Sequence, residues 1–190
     1  MAKSTNNVVM KGVSGTIGKM LVFRTTAADK TIVARRPKPS NKPLTVAQLD
    51  VRDRFTEAAY YAKTAISNPA LKEEYQAKAK LGQSAYNVAF ADYLKAPELR
   101  KVMADEYKGA IGDSILFRVV DNFKLQSVSI RILDENSNVI EQGAAIPLDN
   151  GLDWQYIATA TNANVVGTIL EVTAKDTPGN VATFNTVISE

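Results

Sequence analysis

The sequence predicts an α+β chain of two modules: a β-hairpin plus three helices over residues 1–96, then an all-β sandwich over residues 97–190. Three observations carry this reading. Apolar residues recur every three or four positions between Thr45 and Leu94, the spacing of one helical face. From Leu99 onward, short runs alternate apolar and polar residues between turn-forming clusters, as half-buried strands do. Charge divides near the same place, with 16 Lys/Arg and 8 Asp/Glu in residues 1–99 against 7 and 12 in residues 100–190. Two modules of opposite sign suit different neighbours.

In KMLVFRTTAADKTIVARRP, Met20–Thr25 and Thr31–Arg35 read as two short strands around the turn residues AADK,. An isolated hairpin is marginal in water, so this one leans on the helices or on another subunit. Pro37, Pro39 and Pro43 each fix φ and lack an N–H donor, which makes residues 36–44 extended and stiff. A helix starts directly after. Thr45 and Gln48 match the capping box, and Leu44 and Leu49 are spaced for a hydrophobic staple,. Val51, Phe55, Ala58, Ala62 and Ile66 form its apolar face, and it ends near Ser67. Asn68 as cap and Pro69 at the first helical position open a second helix,, which runs to Gly82 as its terminating residue. A third helix fits Ser84 to Leu94, and Pro97 marks the module boundary. Three helices and a hairpin enclose a small core, so packing against a partner is expected to help.

In the second module, Val128, Ile130 and Ile132 share one face of QSVSIRIL. Trp154, Tyr156 and Ala158 point inward from DWQYIATA, and Leu170, Val172 and Ala174 do so from TILEVTAK. SILFRVV and VATFNTVI supply further strands, and turns fall at DENSN, LDNGLD and DTPGN, the last a type II turn at Pro178-Gly179,. Six or seven strands in about 90 residues is the pattern of a sandwich.

Two resemblances follow from these residues. Gly15, Gly18, Arg36, Pro37, Pro43, Thr45, Gln48, Arg52 and Phe55 make the first half similar to a group of small uncharacterised proteins encoded in phages and bacterial genomes. That group usually carries a tryptophan on its second helix, where Tyr75 stands here; the resemblance implies no activity. Asp113, Asp121, Val128, Trp154, Tyr156, Ala174, Asp176, Gly179 and Asn180 make residues 100–190 resemble bacterial immunoglobulin-like domains. Such domains occur as repeats in surface adhesins and as appendages on phage particle proteins, which implies an immunoglobulin-like sandwich.

The chain has neither cysteine nor histidine. Thiolate nucleophiles, disulfides and the commonest general base and metal ligand are thereby removed, and a non-enzyme without cofactor or metal is expected. The N-terminus has no apolar signal segment, and no run approaches the ~18 apolar residues of a membrane helix. MKGVSGTIGK fails the phosphate-loop pattern because Val13 and Met20 stand where it needs other residues,. GVSG and GTIG match the loop of an RNA-binding KH fold, but its flanking helices are missing. Backbone freedom where a neighbouring subunit approaches closely is the better reading of these glycines.

Asp121, Asp134, Glu135, Asp149, Asp153 and Asp176 could gather at one end of the sandwich and bind Ca²⁺,. No 12-residue ligand loop appears, and solvated turn residues are the plainer reading. Trp154 reads as a core filler before a sugar-stacking platform. The partner-binding set is Lys11, Lys19, Arg24, Lys30, Arg35, Arg36, Lys38 and Lys42. It suits an acidic protein neighbour in an assembly or, second, nucleic-acid phosphates; no aromatic residue interleaves with it for base stacking. The expected function is a non-enzymatic structural protein present in multiple copies, a capsid- or tail-associated phage virion component assembled in the host cytoplasm. Its alternatives are a cytoplasmic nucleic-acid-binding protein and an adhesin-like or glycan-binding module.

Overall fold

A computed structural model describes residues 7–26, 30–38 and 43–189 in full and residues 2–4 by their backbone. The chain is an α+β mixture in which all strand pairing is antiparallel. The expected hairpin is present as β3 (Leu21–Thr25) and β4 (Thr31–Arg35). It is the middle of a four-stranded sheet, flanked by β1 (Ala2–Ser4) on β4 and β2 (Gly15–Ile17) on β3. The turn residues Ala27–Asp29 lie outside the described residues. Gly12, Gly15 and Gly18 take φ of 75°, 113° and 59°, and a Cβ on any of them would meet nothing within 4 Å. Gly12 and Gly18 supply left-handed backbone in the turns on either side of β2, while Gly15 opens β2 itself with a φ that L side chains rarely adopt,.

Helix α1 spans Val46–Ser67 and starts on the capping box, with Thr45 Oγ1 accepting from Gln48 N–H at 3.3 Å and Gln48 Oε1 accepting from Thr45 N–H at 3.0 Å. The staple is absent as a buried feature, since Leu44 and Leu49 both stay exposed. Helix α2 (Pro69–Lys78) is capped by Asn68, whose side chain accepts from Ala70 and Leu71 N–H. It ends four residues before Gly82. The amide of Gln83 folds back to Lys80, and Gly82 sits in that turn with φ 82°; the glycine shapes the connection, not the helix end. Helix α3 (Ala85–Leu94) starts on Ser84 as read.

Alanines on α1 and α3 (Ala62, Ala65, Ala85, Ala89) let the helices approach around Tyr75, which is fully buried. Arg54 Nη2 donates to Leu94 O, so the end of α3 lies beside the third turn of α1. The first two turns of α1 therefore extend past the bundle. Val51 and Phe55 stand on the same stripe as the buried alanines but remain 67% and 58% exposed: Val51 lies on the overhanging turns, and Phe55, at the rim, meets Phe90 of α3 edge-on with centroids 4.7 Å apart.

Beyond Pro97 come β5 (Glu98–Met103), β6 (Ser114–Val120), β7 (Leu125–Leu133), β8 (Val139–Ala144), β9 (Ile146–Pro147), β10 (Asp153–Ile157), β11 (Ile169–Asp176) and β12 (Val181–Val187). They form two sheets, ordered β5-β6-β10-β9 and β12-β11-β7-β8. β5 went unread because Glu98, Arg100 and Lys101 break its apolar alternation. One core lies between the sheets, built from Ile115 and Phe117, from Val128, Ile130 and Ile132, and from Leu170, Val172 and Ala174. Tyr156 and Ala158 are buried as expected, while Trp154 packs at the core's edge. Gly143 on β8 makes room for the Tyr156 ring, whose hydroxyl donates to Glu141 Oε2 at 2.9 Å. The same oxygen accepts from Thr159 N–H, Thr159 Oγ1 and Ala160 N–H, which fixes the loop after β10. The 176–180 turn closes one residue earlier than read, by Gly179 N–H to Asp176 O, with Gly179 at φ 97°.

Stability follows this map. Phe117→Ala should cost about 3–5 kcal/mol and Glu141→Ala about 1–3 kcal/mol, since four donors lose their acceptor. Val51→Ala, on the uncovered turns of α1, should stay within about 0.5 kcal/mol. Urea unfolding of the three variants measures the contrast.

Candidate functional site

The excess positive charge sits at one place. Residues 1–49 contain nine Lys/Arg and one acid, Asp29, so the small N-terminal sheet and its exit carry the charge, while the helices are nearly balanced. The turn from β2 to β3 is closed by Met20 N–H donating to Ile17 O, with Gly18 and Lys19 both left-handed, at φ 59° and 56°. Leu21 pairs with Arg35, and Arg36 N–H donates to Met20 O at 2.7 Å. This ties the end of β4 to the turn. The result is an open hollow of about 390 Å³ lined by Lys19, Met20, Arg35, Arg36, Pro37 and Lys38.

Four of the eight expected residues, Lys19, Arg35, Arg36 and Lys38, thus converge on a wall without a carboxylate. Lys11 lies in the exposed turn before β2, and Lys30 is exposed at the start of β4. Arg24 pairs with Ile32 one residue out of phase with the Leu21–Arg35 pair, so it stands on the other face of the sheet. Lys42 lies outside the described residues. The sheet has little core: Phe23 and Thr31, on the same face as Arg35 by register, are its buried side chains among those described, and Thr31 Oγ1 donates to Met10 O at 2.8 Å. Ile17, Met20 and Leu21 are exposed beside the cations.

A second constellation lies at the seam between the helices and the two sheets. Asp92 on α3, Asp121 after β6 and Asp176 at the end of β11 bring carboxylate oxygens within 4.8 Å of one another. Asp92 and Asp176 are fully buried. This corrects the reading of the acids as solvated turn residues, for Asp176 and also for Asp153, which forms a bidentate pair with Arg118 at 2.7 and 2.9 Å. Tyr75 donates to Asp92 Oδ2 at 2.7 Å, shares a 2.8 Å hydrogen bond with Tyr61, and stacks on Phe123 with centroids 4.0 Å apart. Asp176 accepts from Gly179 N–H, Asn180 N–H and Asn180 Nδ2, and that amide also reaches Tyr93 O at 3.1 Å. One asparagine therefore bridges the β11–β12 turn to α3. Lys124 and Glu74 add an exposed ion pair at 3.4 Å.

Burial first, then the nearby Asp121 and Asp176 charges, hold the Asp92 carboxyl up to about 7, against the lowering effect of the Tyr75 hydrogen bond. Burial also raises Asp176 and Tyr75. The oxygens suit a hard cation, yet protein donors already occupy both oxygens of Asp176 and one of Asp92. A retained proton fits the arrangement better, because like charges this close resist joint ionisation. Sequence reading missed Asp92, since an acid on a short helix looks solvent-facing. The signal available was its spacing from Ala85 and Ala89, which places it on the buried side.

A carboxyl raised in the folded state binds its proton more tightly there than in the unfolded chain. The stability it contributes is complete below the unfolded value of about 4 and is lost as pH rises through about 7,. Thermal melts should therefore show the protein more stable at pH 5 than at pH 8, by an amount on the order of a few kcal/mol. Asp92→Asn, which can still accept from Tyr75, should flatten that slope and melt above the parent at pH 8.

No protein-family model matches the chain, and no curated protein matches it. Among solved structures it is similar to CopC from Methylosinus trichosporium OB3b, with 16% identity and a TM-score of 0.36 over 47% of this chain and 88% of that one. It is also similar to an engineered protein, with 14% identity and a TM-score of 0.34 over 60% of this chain and 31% of that one. Neither likeness is close enough to carry a function.

Proposed function

We propose that this chain is a non-enzymatic structural protein of a phage particle. In this reading its N-terminal module, residues 1–96, docks into an assembly in many copies, and an immunoglobulin-like sandwich, residues 97–190, projects from it or braces neighbours. The observation that carries it is the N-terminal sheet. It buries very little of itself, yet presents a cation-lined hollow beside exposed Ile17, Met20 and Leu21. A surface with both steering charge and apolar area suits a permanent protein neighbour. No described helix is long and apolar enough to cross a membrane.

The carboxylate-free wall of the hollow favours one second reading, contact with nucleic-acid phosphates through Lys19, Arg35, Arg36 and Lys38,. The two separate by experiment. Arg35→Glu with Arg36→Glu should abolish incorporation of the protein into purified particles, followed by mass spectrometry, while the melting temperature stays near the parent's. A gel shift with DNA or RNA that appears at ~50 mM salt and fades steeply as salt rises would favour the second reading.

A further inference from the structure

The four edges of the two C-terminal sheets are not alike. β5 carries Glu98, Arg100 and Lys101 and a register shift between Leu99 and Lys101. β9 has two residues, one of them Pro147. β8 contains Glu141 and Gly143 and is offset by a shift on its partner between Ile132 and Leu133. Charge, proline, shortness and bulges are the devices that keep an edge from pairing with another chain. The fourth edge, β12, has none of them: VATFNTV is uncharged, lacks proline and glycine, and pairs with β11 over seven residues without a break.

The side of β12 not paired with β11, which comes near β5 of the other sheet without hydrogen-bonding to it, has a defined backbone pattern. Ile188 both donates to Thr168 O and accepts from Gly167 N–H, and Asn180 O accepts from Asp176 N–H. The even-numbered residues therefore spend their backbone groups on β11, by the alternation of an antiparallel ladder. Val181, Thr183, Asn185 and Val187 direct theirs outward. The side-chain order is close to a palindrome about Phe184. A two-fold axis there sets Val181 opposite Val187, Thr183 opposite Asn185, Ala182 opposite Thr186 and Phe184 opposite itself. In this register the outward-directed residues face one another, so each can exchange both backbone bonds, and Phe184 falls in the closer, non-hydrogen-bonded position. Phe184 is half-buried and meets no other ring among the described residues. Val181 and Val187 are each 58% exposed.

We propose that β12 is a self-pairing edge: two copies of this chain join β12 to β12, antiparallel and centred on Phe184, into one continuous eight-stranded sheet. The partner is a second copy because the palindrome matches valine to valine, amide to hydroxyl and ring to ring, pairings that stabilise strands, with no like charges opposed. This inference goes beyond the assembly reading and does not use the basic sheet.

Sedimentation velocity of the full chain over a wide concentration range tests it, with far-UV circular dichroism and melting as folding controls. Thr183→Lys combined with Asn185→Lys opposes lysine to lysine twice across the two-fold axis and should weaken the dimer roughly tenfold or more. Thr183→Lys combined with Asn185→Glu adds similar bulk but sets opposite charges against each other, so its dimer should match or exceed the parent's. A parent that remains monomeric throughout overturns the proposal, as do two variants that weaken association equally. An oligomer that survives the double-lysine change but dissociates on Arg35→Glu with Arg36→Glu also overturns it, while leaving the assembly reading intact.

Discussion

The seam between helices and sheets rests on one buried polar cluster. Tyr75 joins Tyr61 on α1 to Asp92 on α3, and Asn180 joins Asp176 on β11 to the backbone of α3. Phe123, from the loop after β6, closes the cluster by stacking on Tyr75. Buried polar groups are costly unless partnered, and here each partner comes from a different element. Removing Tyr75 would take from both Tyr61 and Asp92 a hydrogen-bond partner that lies 14 or 17 positions away in sequence. The helical core is small and alanine-rich, and this cluster together with Phe123 links it to the sheets.

Order in the molecule is graded as a result. The two C-terminal sheets share one continuous apolar core. The helices depend on that body through the seam. The N-terminal sheet depends on least, having Phe23 and Thr31 as its described interior. The least buried sheet is thus also the one that carries the excess positive charge. That fits a component whose basic end is completed by neighbours, the assembly reading proposed above.

What the sequence disclosed was local. The hairpin strands, the Thr45–Gln48 box, the Asn68-Pro69 start and the inward faces of β7 and β11 each depend on residues a few positions apart, so short-range rules sufficed. Four of the eight cations assemble because a left-handed Lys19 brings the β2–β3 turn against the end of β4, which no composition rule anticipates. The seam was opaque for the same reason. Asp92 and Asp176 lie 84 positions apart, and an acid reads as solvent-facing until its partners are known. β5 escaped because charges guard its edge and hide its alternation, whereas β12 was visible in the sequence for want of such charges.

The overhang of α1 has a consequence for reach. Eight residues, 46–53, precede the point where α3 ends beside the helix, and as helix they span about 12 Å. An isolated helix of two turns is barely stable, so the Thr45–Gln48 box is the main local restraint against its unwinding. Unwound, the same eight residues would stretch to about 27 Å. The cap therefore satisfies the backbone N–H groups at the point where this overhang begins and holds its first turn in helical form,.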